Sequence, residues 1–289
     1  MRAWLHEFSR YVLLHAATRG LRHDRDDARA EPPEVVVSLT TIPSRIQAIY
    51  PTLRSLSDQT VRPARIVVAL PAYSRRQQRP YVVPDRIRQQ PLVTVLAAGR
   101  DWGPATKLIP ALEQLADRPD TLVLAVDDDN VYPRTFIETM VRHASVLPDA
   151  AFGLRGWPVP ASLRWRDRLT IFGTDVAAPV RTDVLEGCGG ILVRPRFFDS
   201  SFRDLSEAAH FADDVWISGH LARNGIPAYV VPHRGTHIHL GALASLLGPA
   251  LNHTENRDGV HEQTLIEHFR GHWSTLIPPA NVPCPHPES

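Results

Sequence analysis

The chain has 289 residues, with 32 basic and 31 acidic side chains and a formal net charge of +1. This balance provides no basic field, so nucleic acid is not an expected partner. The two distant cysteines, Cys188 and Cys284, form neither a disulfide framework nor a CxxC metal site, and they fit a cytoplasmic protein.

Residues 1–33 are predicted to form an N-terminal helix and a linker. Apolar side chains near helical spacing predict the helix over residues 1–20. A charged stretch that ends at Pro32-Pro33 predicts the linker. The helix either packs against the following domain or lies peripherally on the inner face of a membrane. Its polar face is not strongly basic, which favours packing.

Strands and helices alternate from residue 34 onward. Apolar and β-branched runs predict strands at residues 35–39, 65–70, 92–96, 121–126 and 228–231. Helical spacing predicts helices at residues 46–56, 106–115, 135–147 and 214–223. This order predicts an α/β fold with a mostly parallel central sheet and helices on both faces. The domain is expected to span residues 34–275, followed by a Pro-rich tail at 276–289.

Three adjacent aspartates, Asp127, Asp128 and Asp129, follow the fourth predicted strand. Ligands of parallel α/β sheets bind outside the carboxyl ends of the strands. Hard cations such as Mg²⁺ and Mn²⁺ prefer carboxylate oxygens and share their coordination with phosphates. The segment therefore predicts a metal site for a diphosphate-bearing substrate. If it is extended, Asp127 and Asp129 point to one side and Asp128 to the other. A solvated acidic turn, or aspartates that cap the next helix, is the alternative.

Two further loops are candidates for phosphate contacts. Residues 40–45 suit a base and ribose resting on the backbone, with Arg45 facing a phosphate; the alternative is a plain helix start capped by Ser44. Residues 103–107 precede a helix, whose N-terminus favours anions. Lys107 is the only lysine in the sequence, and its compact charge is one that arginine does not reproduce. Accident of composition is the alternative there.

The late candidates are an acidic pair and two histidines. One aspartate of Asp213-Asp214 suits an N-cap, and a second leaves a carboxylate that can act as a general base on a hydroxyl. His237 and His239 follow the last predicted strand, and either can complete a metal shell begun by the aspartates. A zinc site lacks an evident complete ligand set, and a surface histidine is the plain alternative.

The order of these segments resembles glycosyltransferases of the GT-A fold, most closely bacterial family-2-like members, over roughly residues 34 to 240. The resemblance implies a nucleotide-diphospho-sugar transferase fold that uses Mn²⁺ or Mg²⁺. It also implies transfer from a nucleotide-sugar donor to a saccharide or other hydroxyl acceptor, in surface-glycan or polysaccharide synthesis. The segments that carry it are 36–45, 103–108, 127–130, 189–190 and 213–225.

The resemblance also assigns roles to residues. Asp127 and Asp129 form the Asp-x-Asp motif, with Asp129 as the direct metal ligand, and His237 or His239 as a further ligand. Asp214 is the base of an inverting displacement, although Asp213 stands where many relatives carry Glu, which leaves the base open between the two. The residues expected near the donor and acceptor are Thr41, Pro43, Arg45, Lys107, Asp127, Asp128, Gly189 and Gly190.

Two other functions remain open at this level. A sugar nucleotidyltransferase shares the sheet and the metal, but such enzymes usually carry a glycine-rich loop after the first strand. Residues 40–45 contain no glycine. A non-catalytic glycan- or nucleotide-binding module is the third possibility, and the intact acidic motifs argue against it.

Overall fold

The computed structural model describes residues 34–235, 238–239 and 258–274. The predicted N-terminal helix and linker, the Pro-rich tail and His237 lie outside the described residues. For His239 the structure describes the backbone and not the side chain. Within the described ranges, no helix is both long enough and apolar enough to cross a membrane.

Fifteen strands and six α-helices are found in the described part of the chain. The strands are β1 (Val35–Leu39), β2 (Arg65–Pro71), β3 (Tyr73–Ser74), β4 (Arg79–Pro80), β5 (Val93–Ala98), β6 (Leu122–Ala125), β7 (Asn130–Val131), β8 (Ala151–Gly153), β9 (Arg155–Trp157), β10 (Ile171–Phe172), β11 (Val180–Thr182), β12 (Val184–Leu185), β13 (Ile191–Val193), β14 (Ala228–Val230) and β15 (Ile238–His239). The α-helices are α1 (Tyr50–Ser57), α2 (Asp85–Arg88), α3 (Ile109–Gln114), α4 (Phe136–Val146), α5 (Asp213–Arg223) and α6 (Val260–His268).

The central sheet has eight strands in the order β11-β14-β8-β13-β6-β1-β2-β5. The four strands β6, β1, β2 and β5 are all parallel to their neighbours in this half of the sheet. In the other half, β13 runs antiparallel to β6 and β8, β14 is parallel to β8, and β11 is antiparallel to β14. The predicted α/β fold with a mostly parallel central sheet is confirmed.

Helices cover both faces of this sheet, as predicted. Neighbouring strand residues point to opposite faces, so Val36 and Val37 belong to different apolar clusters. The cluster around Val36 includes side chains of α3, α5 and α6. The cluster around Val37 includes side chains of α1, α2 and α4. The central strands β1, β6, β8 and β13 are therefore buried on both faces, and the carboxyl edge of the sheet is left to the loops.

Two predicted helices begin later than their apolar spacing indicates. The helix predicted from residue 46 begins at Tyr50, because the preceding residues form turns in which the Arg45 N–H donates to the Ile42 carbonyl at 2.9 Å. Pro51 then occupies the first turn of α1, where a missing backbone N–H costs nothing. The helix predicted at 106–115 divides into a 3₁₀ turn at Gly103–Lys107 and the helix α3. That division places Lys107 at the edge of the sheet.

A buried histidine in α5 gives a prediction about stability. His220 is fully buried and contacts the rings of Trp216, Phe202 and Phe269. Burial lowers the pKa of His220 to about 3. Below pH ~6.5 the unfolded chain therefore takes up a proton that the folded chain refuses, so stability is full above that pH and is lost as the pH falls toward 3.

We expect this histidine to remove about 2 kcal/mol of stability between pH 7 and pH 5. Urea unfolding at the two pH values measures the difference, and His220→Gln should reduce it by that amount. His272→Gln, at an exposed histidine, is the matched control and should leave it unchanged. Equal pH dependence in wild type and His220→Gln would contradict the prediction.

Candidate functional site

A cleft of about 1080 Å³ opens at the carboxyl edge of β1 and β6. The loop after β1, the loop after β6, the 3₁₀ turn before α3 and the first turn of α5 all contribute to its lining. This is where parallel α/β sheets bind ligands. Eight of the sequence-predicted residues line it: Thr41, Arg45, Lys107, Asp127, Asp128, Asp129, Asp213 and Asp214.

Asp128 ties the loop after β1 to the loop after β6. Its carboxylate is buried and accepts hydrogen bonds from the Thr41 hydroxyl and the Arg45 guanidinium. The Tyr81 hydroxyl donates to the Thr41 carbonyl at 2.9 Å, which fixes the same loop from its other side. Because these contacts occupy both carboxylate oxygens, Asp128 acts here as an anchor for Arg45.

Arg45 reaches Asp129 as well, with Nη1 3.5 Å from Asp129 Oδ2. Burial by itself lowers the pKa of Arg45, but Asp128 and Asp129 raise it above its ordinary value, so the guanidinium stays charged. The alternative in which Ser44 caps a helix is wrong, because α1 begins later, with Ile49 as its N-cap.

The predicted alternation of the three aspartates is wrong. The strand ends at Ala125, and Asp128 and Asp129 lie in a turn instead of an extended segment. Both therefore contact Arg45, whereas Asp127 contacts Lys107. Side chains alternate between the two sides of a segment only while its backbone stays extended.

Lys107 joins three carboxylates that come from distant parts of the chain. Its ammonium nitrogen lies 2.8 Å from Asp127 Oδ1, 2.9 Å from Asp213 Oδ2 and 3.5 Å from Asp214 Oδ1. Burial alone lowers the pKa of Lys107, but the three carboxylates raise it well above its ordinary value. A compact ammonium with three donors suits this arrangement, which a planar guanidinium does not match.

Asp213 and Asp214 occupy the first turn of α5 without capping it. The N-cap is Ala212, and no side chain caps the helix, so the capping alternative is wrong. Asp214 Oδ1 accepts a hydrogen bond from the Gly187 N–H at 3.0 Å. Burial raises the pKa of Asp214 well above its ordinary value, Lys107 opposes this, and Asp213 adds to it. A carboxylate with a raised pKa at the edge of a cleft can take a proton from a hydroxyl.

Gly187 does not line the cleft but contacts the residues that do, and the sequence did not single it out. A Cβ on Gly187 would lie 2.2 Å from Lys107 Nζ and 2.7 Å from Asp127 Oδ1. The predicted Gly189 and Gly190, and Pro43, are not among the residues that line the cleft. Gly190 has φ +72° and packs against Phe136, so it serves the turn before β13. In a segment with three glycines, only the close approach to Lys107 distinguishes Gly187.

Replacing Gly187 with alanine should therefore displace Lys107 and destabilise the fold. We expect a loss of about 2 kcal/mol, the usual cost of forcing a methyl group into a packed site. Urea unfolding measures it. Gly99→Ala is the control, because a Cβ at Gly99 has nothing within 4 Å. An unchanged unfolding midpoint for Gly187→Ala would show that the contacts around Lys107 yield without cost.

Oxygen donors for a hard cation lie beside Asp129. Asn130 is buried, its amide nitrogen donates to Asp129 Oδ1 at 3.2 Å, and its Oδ1 accepts no hydrogen bond from any described residue. The backbone of His239 pairs with Asn130 in the β7–β15 ribbon, one residue from Asp129. The carboxylates of Asp127 and Asp129 and the orphaned amide oxygen of Asn130 are the kind of oxygen ligands that Mg²⁺ and Mn²⁺ prefer. The described residues alone contain no group of three His, Cys, Asp or Glu side chains placed to hold a metal ion.

A second wall of the cleft was also missed by sequence reasoning. It consists of Arg155 and Trp157 of β9, Trp165 and Arg168 of the following loop, and Glu186; we call it the Arg168 wall. These residues lie in short, irregular segments whose patterns predict no element. Only the three-stranded sheet β10-β9-β12 brings them together.

No family model and no curated protein sequence matches the chain. Among solved structures, the chain is similar to a crystal structure of 4-diphosphocytidyl-2C-methyl-D-erythritol synthase, at 11% sequence identity and a TM-score of 0.46. The alignment covers 81% of this chain and 99% of that one. The function of the cleft therefore rests on its own residues.

Proposed function

We propose that the chain is a GT-A-type glycosyltransferase that moves a sugar from a nucleotide-sugar donor to a hydroxyl of an acceptor, with inversion at the anomeric carbon. One observation carries the proposal. The buried ammonium of Lys107 joins Asp127, beside the candidate metal donors, to Asp213 and Asp214 within a single cleft. At about 1080 Å³, the cleft is at the upper end for a single ligand, so it has room for two substrates.

The donor end is formed by Thr41, Arg45 and the aspartates after β6. A guanidinium presents a planar fork that matches phosphate oxygens, and Arg45 is already charged and held in place by Asp128. Asp129 and Asp127 would hold Mn²⁺ or Mg²⁺, with Asn130 and either His237 or His239 as further ligands. When bound, such an ion stabilises the negative charge that develops on the departing nucleoside diphosphate.

The acceptor end is formed by the acidic pair. Asp214 accepts the proton of the acceptor hydroxyl as its oxygen attacks the anomeric carbon, and the bond to the diphosphate breaks with its electron pair going to the diphosphate. Within the described part of the chain, the contacts of the Asp214 carboxylate to Lys107 and to the Gly187 N–H use Oδ1. Oδ2 is the oxygen left to take the proton. Lys107 positions Asp213 and Asp214 and keeps them close to the donor.

Thermal unfolding with nucleoside diphosphates tests the donor end. In the wild type we expect at least one nucleoside diphosphate to raise the Tm only when Mn²⁺ is present. A ligand at a hundred times its Kd stabilises the folded state by about 2.7 kcal/mol. Asp129→Ala should abolish this shift, and Asp117→Ala, at an exposed aspartate, should keep it. A shift that Asp129→Ala retains, or that needs no metal, would contradict the assignment.

A further inference from the structure

The Arg168 wall adjoins the acidic pair, and its Trp157 ring lies between Glu186 and Arg168, with the Arg168 guanidinium carbon 6.0 Å from the ring centroid. Asp214 contacts Gly187, and the preceding residue Glu186 forms a half-buried ion pair with Arg155. Glu186 is also hydrogen-bonded to the Trp157 side chain. Arg168 follows, attracted to Glu186 over a longer distance. A molecule with its hydroxyl at Asp214 would therefore extend along this wall.

Arg168 is held rigidly by an aromatic ring. Its guanidinium carbon lies 3.7 Å from the centroid of Trp165, and Nη1 donates to the Trp165 carbonyl at 3.2 Å. The backbone N–H of Trp165 donates to Gln263 Oε1 of α6 at 2.9 Å. The Trp165 ring also packs closely on Gly259, where a Cβ would lie 2.1 Å from it. The stack fixes the guanidinium in the cleft before any ligand arrives.

The charge of Arg168 is not matched by a carboxylate of the described residues. Within the ranges that the structure describes, no Asp or Glu oxygen lies within 4.0 Å of it, whereas Glu186 is already paired with Arg155. Burial lowers the pKa of Arg168, and the more distant Glu186 and Glu262 compensate for this only in part. A half-buried guanidinium with a fixed plane and unused donors is suited to a planar or tetrahedral anion.

We infer that Arg168 binds a carboxylate or phosphate group of the acceptor, so that the acceptor is an acidic saccharide. This inference rests on the proposed glycosyl transfer, because it describes the acceptor whose hydroxyl Asp214 would deprotonate. The donor phosphates belong to the donor end of the cleft, where Arg45 contacts Asp128 and Asp129.

Binding of simple saccharides by NMR saturation transfer tests the inference without any turnover. The probes are methyl β-D-glucuronide, glucose 6-phosphate and the neutral methyl β-D-glucoside. For the wild type we expect at least one anionic probe to bind roughly tenfold more tightly than the glucoside, the effect of one charged hydrogen-bonded pair. The tighter of the two anionic probes identifies the acceptor's anion as a carboxylate or a phosphate.

Arg168→Gln should remove this preference, and Arg166→Gln should keep it, because Arg166 is exposed and does not line the cleft. Arg168→Lys keeps the charge without the planar fork and should bind the anionic probe several-fold more weakly than the wild type. Circular dichroism checks that each variant is folded. If Arg168→Gln does not fold, the affinity of Arg168→Lys for the anionic probe tests the inference instead.

Equal binding of all three probes by the wild type would overturn the inference, as would an undiminished preference in Arg168→Gln. Failure of the proposed function has a different signature. If no nucleotide-sugar is turned over but the anionic probe still depends on Arg168, the anion site stands and the transfer proposal fails.

Discussion

Lys107→Gln should destabilise the protein by about 3 kcal/mol, because it leaves three carboxylates without their shared cation. Removing one partner of a buried ion pair costs roughly 3 to 5 kcal/mol. The low end applies here, since the side chains of Asp127 and Asp214 are 33% and 32% exposed. Urea unfolding measures the loss. The control is Arg118→Gln, which breaks an exposed pair with Glu34 and should cost less than about 1 kcal/mol.

The same substitution should change the pH dependence of any transfer activity. Lys107 holds the pKa of Asp214 lower than burial alone would allow. Without the ammonium the pKa of Asp214 rises further, so the base is ionised only at higher pH. The acidic limb of the pH–activity profile therefore moves to higher pH. Lys107→Arg should not restore the wild type, because Gly187 leaves no room for a planar fork. A Lys107→Gln protein of wild-type stability and pH profile would contradict the role of Lys107.

Asp214→Asn should reduce glycosyl transfer by roughly a thousandfold, the usual range for losing a general base being 10² to 10⁴. The amide keeps the size of the side chain, and its oxygen can still accept from Gly187. Stabilisation by nucleoside diphosphate and Mn²⁺ should persist, because the donor end is intact. Steady-state kinetics and thermal unfolding on the same preparation separate the two effects.

Asp213→Asn is the matched comparison for this variant. Asp213 is buried with 7% exposure and contacts Lys107 through Oδ2, so we expect a smaller loss of transfer that follows the disturbed position of Lys107. If Asp213→Asn is the more damaging change, the base is Asp213. Transfer by Asp214→Asn within tenfold of the wild type would rule out Asp214 as the base.

The first half of the fold could be predicted from sequence because its strands β1, β2 and β6 are buried on both faces. Such strands appear as continuous apolar runs, and Val35–Leu39 and Leu122–Ala125 lie where their runs indicate. The second half contains two- and three-residue strands such as Arg155–Trp157. Ala228–Val230 still lies where its apolar run indicates, but tertiary pairing alone defines Arg155–Trp157.

The candidate site could be predicted only as a set of separate segments. The local sequence marks Asp127, Asp213 and Lys107 as candidates for their own chemistry, but nothing local places the lysine between the carboxylates. That contact follows from the strand order, which brings the loop after β6 to the first turn of α5. The apolar run before Asp127 favours an extended segment, whereas the structure has a turn at Asp128-Asp129, which the sequence allows only as an alternative. Gly187 and Arg168 matter through packing against distant residues, which leaves no local pattern.

Product analysis tests the central claim most directly. The protein is incubated with Mn²⁺ and a panel of nucleotide-sugars, each with acidic and neutral saccharide acceptors, and separately with nucleoside triphosphates and sugar 1-phosphates. Glycosyl transfer predicts release of a nucleoside diphosphate from one nucleotide-sugar, dependent on Mn²⁺ and lost in Asp214→Asn. Release of pyrophosphate from a nucleoside triphosphate and a sugar 1-phosphate, with no nucleoside diphosphate from any nucleotide-sugar, would contradict it.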